Sequence, residues 1–383
     1  MNITIIGWYG TETIGDRAIL AGIINLFSDS FGKLNINLGS LYPFITKRTI
    51  FEDFDLYGSS VELNPSIELF DSRNNTELKA AIYNCDLLVV GGGPLMDLSE
   101  LLMVEFAVKI AKKYSVKSMI AGCGIGPLFQ AKYQKCVVRI VKNTDLVVLR
   151  DEQSKMNLMS LLRIHKYTLD KPLHVSLDPA VHCANEFRKN NFKNHCEKSI
   201  SVSLRSFPEE YSLDQTTASV NLRIEAICRE VFNKFDDYII KLIPMCYHHL
   251  GVDDRLFFLE LKQRLGRSNI EIQYKPLTLE ESMRQFVSSE YCIGMRFHSV
   301  VLQTLLNGKN LVLDYTGGSS GKISGFLNDV TAGAGIGGKI VDLQSSNSES
   351  IIIEQLNNPI KLNFLGLENK SKILVDQAVE LFN

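Results

Sequence analysis

Arg296 and His298 lie two residues apart in Gly294-Met295-Arg296-Phe297-His298-Ser299, where a short apolar run gives way to helical spacing. A fixed guanidinium and a titratable imidazole beside the N–H donors of a helix start suit a phosphate or carboxylate that must also exchange a proton. A helix start with a structurally satisfied histidine is the plainer alternative. Two further cations occupy comparable places. Arg205 follows the apolar run ISVSL, and Lys322 closes the glycine-rich stretch Tyr315-Thr316-Gly317-Gly318-Ser319-Ser320-Gly321-Lys322. That stretch is not a nucleotide-binding P-loop. The glycine required five places before Gly321 is Thr316, and Ile323 stands where Ser or Thr should follow the lysine. It remains a loop able to present Lys322 to an anion.

The first half of the chain carries a different kind of site. Gly7-Trp8-Tyr9-Gly10 and Gly15-Asp16, then Gly91-Gly92-Gly93-Pro94 with Asp97, then Gly122 to Pro127, each follow an apolar run. Glycine turns at strand ends let backbone N–H groups approach a ligand, and three of them mark one sheet edge as a binding rim. The spacing is not the G-x-G-x-x-G fingerprint of dinucleotide sites. Arg150-Asp151-Glu152 also follows a strand, so Arg150 is aimed at the same edge, although an acidic helix start explains the pair of carboxylates equally well. His248 and His249 are adjacent after a strand; neighbouring side chains ordinarily diverge, and a loop histidine there could reach the cleft. The histidines His165, His174, His182 and His195 have no metal-ligand spacing, so no metal site is expected.

These residues need strands and helices to hold them. Apolar runs at 2–7, 36–41, 86–90, 117–121 and 145–149 alternate with helical spacing at 16–30, 99–113 and 130–142. The alternation lapses over the polar, basic stretch 184–198 and resumes with strands near 200–205, 238–244, 270–274, 291–295 and 310–315. Helices are expected between them and at 322–329 and 369–382. Strands separated by helices of roughly ten to fifteen residues mean right-handed crossovers and parallel sheets. The expected fold is α/β: two Rossmann-like doubly wound domains facing a cleft. Residues 1–190 would form the acceptor-side domain and 191–383 the donor-side domain, with the last helix packing on either.

Composition narrows the function. The chain has 383 residues, 41 basic and 43 acidic, for a net charge of -2, so no excess of positive charge points to nucleic acid. No basic leader precedes an apolar run, and no uninterrupted apolar stretch reaches the roughly 18 residues of a membrane span, so the chain reads as cytoplasmic. None of the eight cysteines forms a C-x-x-C pair; they read as reduced thiols.

Taken in order, the motifs resemble the polysaccharide pyruvyltransferase family. The resemblance rests on Gly15-Asp16-Arg17-Ala18-Ile19-Leu20, Gly91-Gly92-Gly93, Gly124-Ile125-Gly126-Pro127, Arg150-Asp151-Glu152, Asp178-Pro179-Ala180, Ser203-Leu204-Arg205, Ile243-Pro244-Met245, Arg296-Phe297-His298 and Tyr315 with Lys322. It departs at Thr13 and Arg17, where the family has Asn and an acidic residue, and in a longer loop before Lys322. It implies a GT-B-like pair of domains and transfer of pyruvate from phosphoenolpyruvate to two sugar hydroxyls, giving a cyclic ketal and phosphate. It implies catalytic roles for His298, Arg150 and Lys322 and donor binding by Arg205, Arg296, His298 and Lys322. The acceptor, lipid-linked or not, is assigned to Gly10, Gly15, Asp16, Gly92, Gly93 and Asp97. A lipid-linked acceptor would bring peripheral contact with the inner face of the cell membrane. No cofactor beyond the donor substrate is expected. Two other readings share these residues: a glycosyltransferase with a nucleotide-sugar donor, and a non-catalytic binding protein on the same scaffold.

Overall fold

Thirteen β-strands and thirteen α-helices account for most of the described residues. The computed structural model describes residues 1–11, 13–58, 61–191, 196–212, 215–247, 252–318, 321–331, 339–345 and 356–383. They group into two units: Met1–Glu12, Asp16–Cys183 and Leu365–Asn383 in the first, Thr13–Gly15 and Ala184–Phe364 in the second.

The first unit contains β1 (Asn2–Ile6), β2 (Asn35–Ser40), β3 (Ser66–Asp71), β4 (Leu87–Val90), β5 (Lys117–Cys123), β6 (Leu146–Leu149) and β7 (Leu173–Val175). They form one parallel sheet in the order β3-β2-β1-β4-β5-β6-β7. Between them run α1 (Ile14–Phe31), α2 (Pro43–Asp53), α3 (Asn75–Tyr83), α4 (Leu101–Tyr114), α5 (Ala131–Asn143) and α6 (Glu152–Ile164). The central strands are uniformly apolar because helices cover both faces: every residue of β4, LLVV, and of β6, LVVL, is buried. The helices are striped. In α5, Tyr133, Cys136, Val137, Ile140 and Val141 face inward at helical spacing.

α7 (Pro179–Asn191) leads from the first unit into the second. The sequence suggests a polar linker over 184–198; a helix and the strand β8 (Glu197–Ser203) occupy most of it. The helix is stable despite its polarity because Val181, Ala184 and Phe187 align on one buried face. Arg188, within this basic stretch, lies 3.6 Å over the Phe364 ring.

The second unit adds α8 (Thr217–Lys234), β9 (Ile239–Leu242), α9 (Asp254–Leu265), β10 (Ile270–Ile272), α10 (Leu279–Ser288), β11 (Ser289–Gly294), α11 (Phe297–Leu306), β12 (Asn310–Asp314), α12 (Lys322–Thr331) and β13 (Ile340–Asp342). Its parallel sheet runs β10-β9-β8-β11-β12-β13. Both sheets therefore repeat the doubly wound order in which the chain reverses direction beside its first strand. The reversal falls between β1 and β4 in one unit and between β8 and β11 in the other. At such switch points the loops leaving adjacent strands diverge and leave a crevice for a ligand.

The chain passes between units after residues 12, 15, 183 and 364. α13 (Phe364–Glu380) groups almost wholly with the first unit, where the Ser176 hydroxyl donates to the Lys370 carbonyl at 2.9 Å. Among the described residues no helix is long and apolar enough to cross a membrane.

Candidate active site

The switch point of the second unit carries its cations. Arg205 follows β8 by two residues and Arg296 follows β11 by two, on the strands flanking the reversal. They are not equivalent. Arg296 is the residue that precedes α11. Its Nε donates to both carboxylate oxygens of Asp254 at 2.9 and 2.8 Å, and its Nη2 donates to Asp254 Oδ1 at 2.6 Å and to the Val252 carbonyl at 3.1 Å. Asp254, fully enclosed at the start of α9, also accepts the backbone N–H groups of Met245 and Cys246 at 3.0 and 3.1 Å. Burial opposes the Arg296 charge, but Asp254 outweighs it and holds the guanidinium above its usual pKa.

Arg205 has no such anchor. Its one hydrogen bond among the described residues runs from Nε to the neighbouring Ser206 carbonyl, at 3.3 Å. It forms no ion pair there. Burial lowers its pKa, and the nearby Arg296 charge lowers it further. A partly buried guanidinium with its fork unused and a second cation beside it has the chemistry to pair with an anion.

Lys322 begins α12. Its ammonium donates to the Tyr211 hydroxyl at 3.1 Å and stands 5.3 and 5.5 Å from the ring centres of Tyr211 and Tyr315, which meet edge-on at 5.0 Å. The Tyr315 hydroxyl feels all three of these cations. Burial pushes its pKa up, yet Lys322, Arg205 and Arg296 together pull it below the usual value for a phenol. The loop between Tyr315 and Lys322 is braced at its base. Asp314 accepts the Thr316 N–H and hydroxyl at 2.7 Å each and the Ser324 hydroxyl at 2.9 Å.

His298 is the second residue of α11 and is half-buried. Its ring meets that of Phe297 edge-on at 5.1 Å. Its other wall is Gly15. A Cβ placed on Gly15 would stand 2.1 Å from His298 Nδ1, so only glycine lets the imidazole lie where it does. The segment bearing Gly15 is fixed to the loop that also holds Asp254. Thr13 bridges to Cys246, and the Ile14 N–H donates to the Met245 carbonyl at 3.0 Å.

In the first unit the switch point brings Gly92 and Gly93 beside Trp8, Tyr9 and Asp16 behind β1 and β4, whereas Gly10 packs against Ser40, Tyr42 and Thr46. Gly93 has φ +88°, and a Cβ there would stand 2.7 Å from Trp8 Cδ1 and 3.8 Å from Asp16 Oδ1. Thr11 donates to the other Asp16 oxygen at 3.3 Å. Beneath Gly92 the Tyr9 hydroxyl is buried with no hydrogen-bond partner among the described residues. Asp97 is placed differently. Its Oδ2 accepts the N–H groups of Phe129 and Gln130 at 2.8 and 3.0 Å, so it braces one loop against another. Arg150 is also engaged: it is buried, 3.0 Å from Asp151 and 3.7 Å from Asp178. His195, His248 and His249 lie outside the described residues. Asp254, Tyr211, Tyr315 and Tyr9 carry no spacing signal that singles them out in the sequence.

Two doubly wound parallel-sheet units in one chain define the architecture of GT-B glycosyltransferases and the sugar-nucleotide epimerases built like them. The chain is similar to the UDP-GlcNAc 2-epimerase of Neisseria meningitidis, with a TM-score of 0.57, 14% identity, and 99% and 100% of the two chains covered. It is similar to a putative UDP-N-acetylglucosamine 2-epimerase of Listeria monocytogenes, with a TM-score of 0.56, 12% identity, and 97% and 90% covered. A glycosyltransferase of Rickettsia africae gives a TM-score of 0.54 at 14% identity, with 100% and 97% covered. At such identities the likeness is one of fold. No curated protein matches the chain by sequence. Residues 14–317 match the family model of polysaccharide pyruvyl transferases; the chain belongs to that family and is a transferase by membership. The matched segment contains Arg205, Arg296 and His298 and stops short of Lys322.

Proposed function

We propose that the protein transfers pyruvate from phosphoenolpyruvate to two hydroxyls of one sugar, forming a cyclic ketal and releasing phosphate. The observation that carries this reading is Arg205: a cation at a switch point, without a carboxylate partner among the described residues, beside Arg296 and the Lys322–Tyr315 pair. Phosphoenolpyruvate brings a phosphate and a carboxylate, and Arg205 with Lys322 supplies the matching charge. Arg296 contributes its field while staying bound to Asp254.

His298 acts as general acid. It gives its proton to the methylene carbon of the donor, and the cation that results at the adjacent carbon is taken by one sugar hydroxyl. The hydroxyl proton passes to a base. The C–O bond to phosphate then breaks, and the second hydroxyl closes the ketal on the same carbon, releasing its own proton. Two hydroxyl protons are lost and one is gained by the methylene. The one that remains goes to the departing phosphate. The acceptor is assigned to Gly10, Gly92, Gly93 and Asp16 of the first unit, and Gly15 seats His298 in the second. Arg150 and Asp97 serve as positioning residues: one holds Asp151 and Asp178, the other the loop at Phe129. An acceptor carried on a lipid would bring the enzyme to the inner face of the membrane.

The direct test is phosphate release from phosphoenolpyruvate with a panel of glycosides and lipid-linked sugars. Phosphoenolpyruvate alone should raise the melting temperature, by the linkage of binding to stability, and nucleotide sugars should not. His298→Gln should lose about 10²–10⁴-fold in turnover with little change in donor binding. Stabilisation by a nucleotide sugar and none by phosphoenolpyruvate would overturn the reading.

A further inference from the structure

α2 is built inside out. Its inward residues are Ile45, Thr46, Thr49 and Asp53, three of them polar. Its outward residues include Phe44, 88% exposed, and Phe51, 86% exposed, with Lys47 and Arg48 between them. A globular helix ordinarily arranges these the other way. The reversal has a local cause on the inner side. Arg17 of α1 is buried and binds Asp53 through Nε at 2.5 Å and Nη2 at 2.6 Å, and it reaches Glu52 at 3.0 Å. That cluster fixes which face points inward and leaves the phenylalanines outside.

We propose that this outer face of α2 docks on an anionic lipid bilayer. Phe44 and Phe51 are seven residues apart, two turns on one face and about 10 Å along the axis. Both rings therefore reach one plane together. A convex helix with paired aromatic rings suits the headgroup boundary, whereas a protein partner would need a matching groove. The charges agree. Lys47 is exposed between the rings, and Arg48 stands beside it, ion-paired with Glu52. The carboxylates on this helix are engaged inward or laterally: Asp53 and Glu52 by Arg17, and Glu52 also by Arg48 at 3.2 Å. Asp55, on the following turn, is exposed. The inference is independent of the donor chemistry proposed above, because it concerns where the enzyme works.

The test is co-sedimentation of the full chain with vesicles of phosphatidylcholine, and of phosphatidylcholine mixed with phosphatidylglycerol, at low and high salt. The chain should bind the mixed vesicles and release as salt rises. Phe44→Ser with Phe51→Ser should weaken binding roughly ten- to a hundredfold, the scale of two partly inserted rings. Lys47→Glu should abolish the preference for anionic lipid. Leu256→Ser, at an apolar side chain 61% exposed on α9, should bind as the parent does. Melting curves check that each variant is folded; the substituted side chains are exposed, so unchanged melting is expected. Failure of the parent chain to bind either vesicle would overturn the proposal. So would parental binding by the double phenylalanine variant, or a dimer in sedimentation velocity that the double variant dissolves.

Discussion

Removing Arg296 and removing Arg205 should do different things. In Arg296→Met, Asp254 loses three charged contacts while remaining enclosed, with the Met245 and Cys246 amides as its partners. Breaking a buried pair from one side costs about 3–5 kcal/mol. For a unit of this size, each kcal/mol shifts the melting temperature by about 2–4 °C, so a fall of roughly 6–20 °C is expected. In Arg205→Met nothing comparable is stranded, and a like-charged neighbour of Arg296 disappears. Stability should stay within about 1 kcal/mol of the parent. Donor affinity should drop by about 1.5–3 kcal/mol, the scale of a lost charged hydrogen bond, which is roughly ten- to a hundredfold or somewhat more. Differential scanning calorimetry and titration with phosphoenolpyruvate measure the two quantities separately. Asp254→Leu combined with Arg296→Met should recover much of the lost stability, since no charge is left buried alone. Parental melting by Arg296→Met, or an equal fall in Arg205→Met, would refute the division into an anchored and an available arginine.

Three further outcomes are expected. Gly15→Ala should displace the His298 ring, whose Nδ1 lies 2.1 Å from the new Cβ, and cut turnover by about 10²-fold or more at little change in melting, as steady-state kinetics would show. Asp16→Asn should raise the KM for acceptor more than the Kd for phosphoenolpyruvate; equal losses would count against an acceptor role. Glu105 joins α4 to Arg139 of α5, and that contact outweighs burial in holding its carboxyl at about 2 from an ordinary 4.5. A depressed carboxyl stabilises the fold above the unfolded value and loses that contribution as pH falls through the folded one. Glu105→Gln should therefore melt lower at neutral pH, by about 1–2 kcal/mol after allowing for the exposed arginine. The gap should close between about pH 4.5 and 2.

The strands were legible because a parallel strand covered on both faces is an unbroken apolar run: DLLVV and DLVVL announce β4 and β6. The start of α10 carries a sequence signal of its own, because Thr278 and Glu281 form a capping box. The short edge strands β7 and β13 and the polar helix α7 were not, since their identity rests on neighbours far off in sequence. The same limit governs the site. Arg205, Arg296, His298 and Lys322 stand at strand ends and helix starts, which pattern alone reveals. The partner that separates Arg296 from Arg205 is Asp254, 42 residues earlier, and spacing gives no hint of the pairing. Asp97 and Arg150 show the converse: their positions look exposed to a ligand, and each is used by its own unit.

The way the chain is divided between units bears on how it can be made. Residues 16–183 emerge from the ribosome well before 365–383, yet the helix α13 they await buries Leu367, Leu374, Val375 and Ala378. The Ser176–Lys370 hydrogen bond spans 194 residues. The first unit therefore spends most of its synthesis with an apolar seam uncovered, while the second can close around its own sheet. Chains stopped anywhere before residue 365 should be poor folders and chaperone clients, however complete their candidate site.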